Sequence, residues 1–369
     1  MERAKVYFAD LRASERENLL AKIVRLLDSA GLPSILLPRS LVAVKLHFGE
    51  KGNTAFIRPN FIRAIVDRVR SLGGHPFLTD SNTLYVGARA DSVAHLTTAI
   101  ENGFAYAVVN APLIIADGLR GGSYKPVTID GEVIKVAYVA AEVAETDVLL
   151  SVAHFKGHGL SGFGGTLKNL GMGCASRRGK LVQHSDVSPK IQRKKCIACG
   201  NCVEHCSQTA ITVREKKAVI DQKKCIGCGE CILICSNKAI DVNWNADAVL
   251  FQKKITEYAY AALRNKKGRA LFLSFLTDIS PACDCYGHND APIVPDVGIL
   301  ASTDPVAIDQ ASVDLVNRQA GLENSSLTEN RSSGGDKFGA VYPRVDWRVQ
   351  LEHAVKLGMG SREYDLIRI

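Results

Sequence analysis

Two stretches of the chain carry cysteines at matching intervals, CIACGNCVEHC from Cys196 and CIGCGECILIC from Cys225. Each reads C-x2-C-x2-C-x3-C, the spacing with which bacterial ferredoxins hold two [4Fe–4S] clusters. Closely spaced thiolates in a loop reach three corners of one cube, and the fourth cysteine, opening a helical turn, reaches the other cube. The spacing therefore predicts crossed ligation. Cys196, Cys199, Cys202 and Cys235 hold one cluster; Cys225, Cys228, Cys231 and Cys206 hold the other. A pair of zinc knuckles is the competing explanation, but zinc sites favour paired C-x2-C at longer separations. One departure is visible: Ser207 and Ser236 stand where ferredoxins usually carry proline after the fourth cysteine. Eight cations flank the block, Lys190, Arg193, Lys194, Lys195, Lys216, Lys217, Lys223 and Lys224. Such cations would favour an added electron on an anionic cluster. They equally suit the exposed turn of a hairpin in AITVREKKAVID.

Three cysteines stand outside this pattern: Cys174, Cys283 and Cys285. Free cysteines are often small buried hydrophobes. CDCYGHND, however, has loop composition, with Asp284 and His288 beside the thiols. A third metal or cluster, or a reactive-thiol site, is the functional alternative for all three. A second cluster of chemistry is HFKGH, which places His154, Lys156 and His158 after an apolar run and before a glycine-rich turn. These three are the candidate catalytic residues: histidine for acid–base work, lysine for an anion or a proton. The turn GFGGTLKN offers Gly162, Gly164, Gly165 and Lys168 as a candidate cofactor cradle, its amides facing a phosphate or carboxylate. It lacks the full P-loop pattern, so the nucleotide signal is weak.

The elements that would position these residues alternate. KVYFAD, LVAVKLH, HPFLTD, DVLLSVAHF, ALFLSFL and VGILAS read as strands. Helical patterns lie between them, among them SERENLLAKIVRLLDSAG, RPNFIRAIVDRVRSLGG, DSVAHLTTAIENG and ADAVLFQKKITEYAYAALRNKKG. In DPVAIDQASVDLVNRQ, Asp304 is the expected N-cap and Pro305 the first helical residue. This alternation predicts an α/β fold with a mainly parallel sheet. The same style resumes after the cysteine block. The expected organisation is one α/β domain in two parts, residues 1–190 and 243–369, interrupted by a small ferredoxin-like α+β insert at 191–242. Two separate α/β domains are the alternative. In open α/β sheets ligands bind beyond the carboxyl ends of the strands. Five strand ends deliver polar residues: His47, Thr79 to Asn82, His154 to His158, TDISPACDC, and Ser302 to Asp304. Parallel strands would bring them to one rim. The polar run from Glu323, ENSSLTENRSSGGDKF, is expected to be a mobile loop or lid.

Eleven cysteines without a secretory leader suit a reducing compartment and metal or redox chemistry rather than disulfides. The apolar runs are too short for a membrane span, so a cytoplasmic location is expected. The net charge of +8 is concentrated around the cysteine block, with no arginine-rich tail or stacking motif, which argues against nucleic acid.

KLHFGEKGNT, PFLTDSNTLYVG, HFKGHGLSGFGGTLKNLGMGCASRRGK, CDC and ASTDPVAIDQAS together resemble the family of uncharacterised iron–sulfur centre proteins known as domain of unknown function 362. The resemblance runs along nearly the whole chain. It implies two [4Fe–4S] clusters and a prokaryotic cytoplasmic protein, and no particular reaction. The expectation is an iron–sulfur redox protein that passes electrons to a substrate, metal or cofactor at the strand-end rim, with a redox partner protein. A non-enzymatic electron carrier or adaptor, and an iron–sulfur sensor or metal-delivery protein, are the alternatives.

Overall fold

A computed structural model describes residues 3–184, 189–242 and 247–369. An eight-stranded sheet organises the chain. In chain order its strands are β1 (Ala4–Asp10), β2 (Leu41–Lys45), β3 (His75–Asp80), β4 (Leu113–Ile115), β5 (Val148–His154), β6 (Ala270–Leu276), β7 (Gly298–Ser302) and β8 (Tyr364–Arg368). Across the sheet they run β8-β1-β7-β6-β5-β2-β3-β4. All neighbouring pairs are parallel except the two made by β7, which runs against β1 and β6. The fold is thus α/β with a mainly parallel sheet, as the alternation predicts.

Both faces of the sheet are buried, and period-2 alternation divides the strands between two cores. Val42, Val44, Val148, Leu150, Leu271 and Leu273 face one core. Ala43, Leu149 and Phe272 face the other. Helices Leu19–Ser29 and Pro59–Ser71 supply apolar side chains to the first. Helices Ala248–Leu263, Pro305–Asn317 and Arg348–Lys356 supply the second. Local signals set several boundaries. Asp304 caps Pro305–Asn317 by accepting from the amides of Val306 and Ala307, both at 2.8 Å. Asn18 caps the first long helix at Leu19, five residues into the predicted SERENLL start. The Ala246 start expected for the long helix, and residues 243–245 of the second α/β part, lie outside the described residues.

The reversal of β7 corrects one expectation. Ser302, Thr303 and Asp304 leave the sheet at the opposite rim from His47, Asp80 and His154. Ser302 instead donates to the carbonyl of Lys5, at the start of β1. Asp304 serves its helix and the amide of Ser361, at 2.9 Å. The polar run from Glu323 is a loop, but a pinned one. Leu327 is fully buried, and Lys337 donates to the carbonyls of Asn317, Ser332 and Gly335.

Between residues 190 and 241 the chain forms short pairs, Ile211–Arg214 with Lys217–Ile220 and Lys190–Ile191 with Ile240–Asp241. Short helices Asn201–Glu204 and Glu230–Ile234 accompany them. A third, small core joins Cys196, Cys202, Ile211, Ala218, Ile232 and Ile240 to two residues of the surrounding domain, Leu84 and Leu181.

Candidate functional site

The cysteines of the two repeats line two hollows. One, of about 370 Å³, is bordered by Cys196, Cys199, Cys202 and Cys235. The other, of about 400 Å³, is bordered by Cys206, Cys225, Cys228 and Cys231. Each repeat therefore sends its fourth cysteine to the other's hollow. Backbone amides aim at the sulfurs: Ala218 at Cys196 and Ala210 at Cys206, both 3.3 Å, and Ala239 at Cys235, 3.2 Å. Thiolates around an iron–sulfur cube accept such bonds, which favour the reduced state. Gly200, Gly227 and Gly229 have positive φ, so the loops turn back under the hollow without a side chain in the way. Four thiols around a cavity with amide donors fit a four-iron cluster. Of the eight flanking cations, Lys217 touches the block, donating to the Cys196 carbonyl at 2.6 Å.

The main cavity, about 1440 Å³, opens at the carboxyl ends of β2, β3 and β5. Its wall includes Lys45, His47, Asp80, Arg89, Lys156, His158, Lys168, Lys180, His184 and Cys285. Asp80 is the one carboxylate among the described lining residues. Several cations are paired: Lys45 with Asp80 at 3.1 Å, Arg89 with Glu50 at 3.1 Å, Lys156 with Asp284 at 3.0 Å. Lys168 and Lys180 have no carboxylate within ion-pair distance among the described residues. Lys180 donates to the Ser81 hydroxyl and to the carbonyls of Ser81 and Asn82; burial pulls its ammonium down to about 8. The histidines on the wall are neutral. Burial first, then nearby lysines and Arg89, drives His47 well below its ordinary value. Burial and Lys168 do the same to His158, and burial takes His184 to about 3. A cavity with surplus cations and neutral imidazoles suits a small anion and proton transfer to or from it.

The HFKGH residues divide. Lys156 and His158 line the cavity. His158 accepts from the Ser161 hydroxyl at 2.8 Å when Nδ1 is unprotonated, and stacks on Phe251. His154 does not line it. Its ring is spent between Asp284 Oδ1 and the Thr277 carbonyl, both at 2.8 Å. Although burial opposes the charge, His154 and Lys156 hold the Asp284 carboxyl far below the usual range. His154 thus positions Asp284 and the loop that carries it.

The glycine turn also departs from expectation. The amides of Thr166 and Leu167, at the start of helix Thr166–Gly171, donate to Asp309 at 2.7 and 2.9 Å. A carboxylate of the chain takes the place foreseen for a ligand's phosphate. Burial raises Asp309 to about 7 against these amides. Gly165 is required there, since a Cβ would lie 2.4 Å from Asp309. Gly162, with φ +73°, packs on Trp347, where a Cβ would sit 2.6 Å away. Gly164, Gly165 and Lys168 do line the cavity.

CDCYGHND is clamped from three sides. Asn53 donates to the carbonyls of Tyr286 and His288, and Glu50 to that of Asp284. Tyr85 donates to the Cys285 carbonyl at 2.8 Å. Gly157 donates to Ser280 and lies so close to Pro281 that a Cβ would be 2.1 Å from its carbonyl oxygen. Lys168 reaches the Cys283 sulfur at 3.3 Å. Cys174 is buried, with its thiol against the Asn169 carbonyl. Burial raises it to about 11. No described contact joins it to Cys283 or Cys285.

Sequence reasoning passed over Lys45, Arg89, Lys180, Asp309 and Arg177. A lysine inside the apolar run LVAVKLH was the legible signal for the first. Arg177 is fully buried and donates to the carbonyls of Thr83, Ala90 and Arg120. A Cβ at Gly229 would lie 3.1 Å from this arginine and 3.4 Å from Leu84. Leu84 lines the main cavity and belongs to the cysteine block's core.

Residues 42–314 match the family model described as domain of unknown function (DUF362). The chain belongs to that family. No curated protein matches it. Two solved structures are similar. One is the lactate racemase apoprotein from Thermoanaerobacterium thermosaccharolyticum, at 12% identity and TM-score 0.38, over 74% of this chain and 51% of that one. The other is a Thermotoga maritima protein, at 8% identity and TM-score 0.40, over 92% of this chain and 58% of that one. The chain therefore spans a little over half the length of each. Likenesses this distant bear on neither substrate nor reaction. Among the described residues no helix is long and apolar enough to cross a membrane.

Proposed function

We propose that this DUF362 protein is an iron–sulfur oxidoreductase acting on a small anionic molecule in the strand-end cavity. Cys196, Cys199, Cys202 and Cys235 would hold one four-iron cluster, and Cys206, Cys225, Cys228 and Cys231 the other. Such clusters supply one-electron transfer at low potential. The observation that carries the reading is the shared wall: Leu84 belongs both to the cavity and to the core around the cysteines. Arg177 braces the same boundary beside Gly229, near the hollow that Cys206 shares. The other hollow has the exposed Cys199 at its border, a face suited to a redox partner.

Within the cavity, the surplus cations Lys168 and Lys180 bind and orient the anion. His158 and His47, held neutral, can hydrogen-bond the anion without adding charge. Lys180, with its value near 8, can give a proton at neutral pH.

The test is anaerobic purification with metal and sulfide analysis, followed by ligand binding. About eight iron and eight sulfide per chain are expected, with visible absorption that bleaches on reduction. Succinate, oxalate or inorganic phosphate should protect the protein thermally, and Lys180→Met should weaken that protection at least tenfold while leaving iron and sulfide unchanged. Stoichiometric zinc without sulfide would defeat the cluster assignment. Full protection by the same anions in Lys180→Met would defeat the cavity assignment and favour a carrier without a substrate site.

A further inference from the structure

Cys283 and Cys285 are the one thiol pair outside the repeats that the fold brings together. The carbonyl of Cys283 accepts from the Tyr286 amide at 3.1 Å, so the segment is a tight turn and not an extended strand. Each thiol shifts the other: Cys285 holds the Cys283 thiol well below its ordinary range, and Cys283 pushes that of Cys285 well above it. The amide of Cys285 also points at the Cys283 sulfur, at 3.4 Å. Asp284 between them is turned the other way, locked by His154 and Lys156. Cys285 lines the cavity, while Cys283 lies behind it, about 1% exposed and in contact with the Lys168 ammonium.

We propose that Cys283 and Cys285 are a dithiol/disulfide couple on the cavity wall, with Lys168 as the group that holds the Cys283 thiolate. A turn of this kind brings the two Cα atoms within the range a disulfide needs, about 4.4–6.8 Å. A bound metal cation is a poorer explanation of the pair. Its charge would be repelled by the ammonium at 3.3 Å from the sulfur, and Cys174 offers no third ligand. Lys168 keeps its proton although burial opposes it, chiefly because of Cys283 and Cys285.

The chemistry balances without a further group. When the S–S bond breaks, two electrons enter. Cys283 leaves as a thiolate against Lys168, and Cys285 takes one proton from cavity water. The reverse returns two electrons and one proton to an oxidant such as a disulfide. A dithiol in solution can be the reductant. Supply from a one-electron donor through the cysteine module is the part that rests on the reading above. An ammonium that stabilises the thiolate stabilises the reduced form, so the couple should be more oxidising with Lys168 than without it.

The experiment is a redox titration of the full, cluster-loaded protein in graded mixtures of reduced and oxidised dithiothreitol. Acid quenching and alkylation follow, and the peptide carrying residues 283–285 is weighed. The expected result is one transition between a doubly alkylated peptide and one lighter by two hydrogens that resists alkylation. Lys168→Met should shift the exchange constant at least tenfold toward the disulfide, about 30 mV for a two-electron couple. Lys168→Arg should restore most of the shift, and Cys174→Ala should change nothing. A peptide alkylated at both positions across the whole series would overturn the proposal, as would a Lys168→Met midpoint equal to that of the unaltered chain. Reduced methyl viologen, a one-electron donor, separates the two claims. If dithiothreitol opens the disulfide but reduced viologen does not, the couple stands and supply through the module fails.

Discussion

The thiols of the two repeats show how far spacing reaches at the scale of single residues. Cys206 lies four residues beyond Cys202 yet shares a hollow with Cys225, Cys228 and Cys231. Cys206→Ser should therefore disturb the same paramagnetic signal as Cys228→Ser and leave that of Cys199→Ser alone. A Cys206→Ser spectrum matching Cys199→Ser would reverse the pairing. The buried trio of His154, Asp284 and Lys156 makes a second prediction. Asp284→Ala leaves a lysine ammonium and a histidine without their partner in a dry site. Breaking a buried pair in this way costs about 3–5 kcal/mol. Urea unfolding followed by circular dichroism should show the loss, and an unchanged midpoint would mean that the trio does not anchor the loop. The spacing of HFKGH made these three side chains conspicuous. It carried no sign that His154 turns toward Asp284, because that depends on a loop 130 residues further along.

At the scale of elements, the short helix Thr166–Gly171 owes its start to a residue on another helix. Asp309 satisfies two amides that would otherwise be orphaned in the core. Asp309→Ala should cost about 2 kcal/mol and disorder the turn that carries Lys168. Loss of the Lys168→Met effect on the Cys283–Cys285 midpoint in an Asp309→Ala background would show that the turn positions the lysine. An unchanged effect and unchanged stability would remove Asp309 from this role. The hairpin Ile211–Arg214 and Lys217–Ile220 was legible from the sequence. Its turn residues Glu215 and Lys216 both adopt positive φ, at 48° and 57°, the two-residue turn that matches strand twist. The edge strand Tyr364–Arg368 and the hairpin Tyr124–Thr128 with Val136–Ala140 were not legible. Half-exposed strands carry no long apolar run, and their pairing partners are distant in sequence.

For the whole molecule, acid should be destabilising. His95, fully buried, and His184, half-buried, are held near 3, by burial first, and His47 and His158 are shifted the same way. An unfolded histidine takes up its proton near pH 6.5, whereas these folded ones do not. The contribution of His95 and His184 is therefore present above pH 6.5 and lost as pH falls toward 3, about 1.4 kcal/mol per pH unit for each, and that of His47 and His158 is lost in the same direction. Asp117 and Asp309, raised by burial to about 6 and 7, act oppositely, because their folded carboxyls bind protons more tightly than unfolded ones. The shifted histidines outnumber these carboxyls, so the balance between pH 6 and 5 is a net loss. Urea midpoints at pH 7, 6 and 5 should fall in that order; a rising series would contradict the burial of the histidines.

The sequence by itself determined six of the eight strands of the sheet and the thiol spacing of the cysteine block. These depend on local periodicity and on residues a few positions apart, and β3 and β6 lie where their apolar patterns put them. Tertiary structure alone decided the rest. A strand's direction leaves no mark on its period, so VGILAS could be placed in the sheet but not known to run backwards, and the polar residues after it were assigned to the wrong rim. Charge compensation is equally non-local. Lys45, Arg89 and Lys180 read as ordinary cations until β2, β3 and the helix Arg177–His184 converge on one cavity. Lys168 gains its meaning only when folding carries Cys283 to its side, across 115 residues of chain.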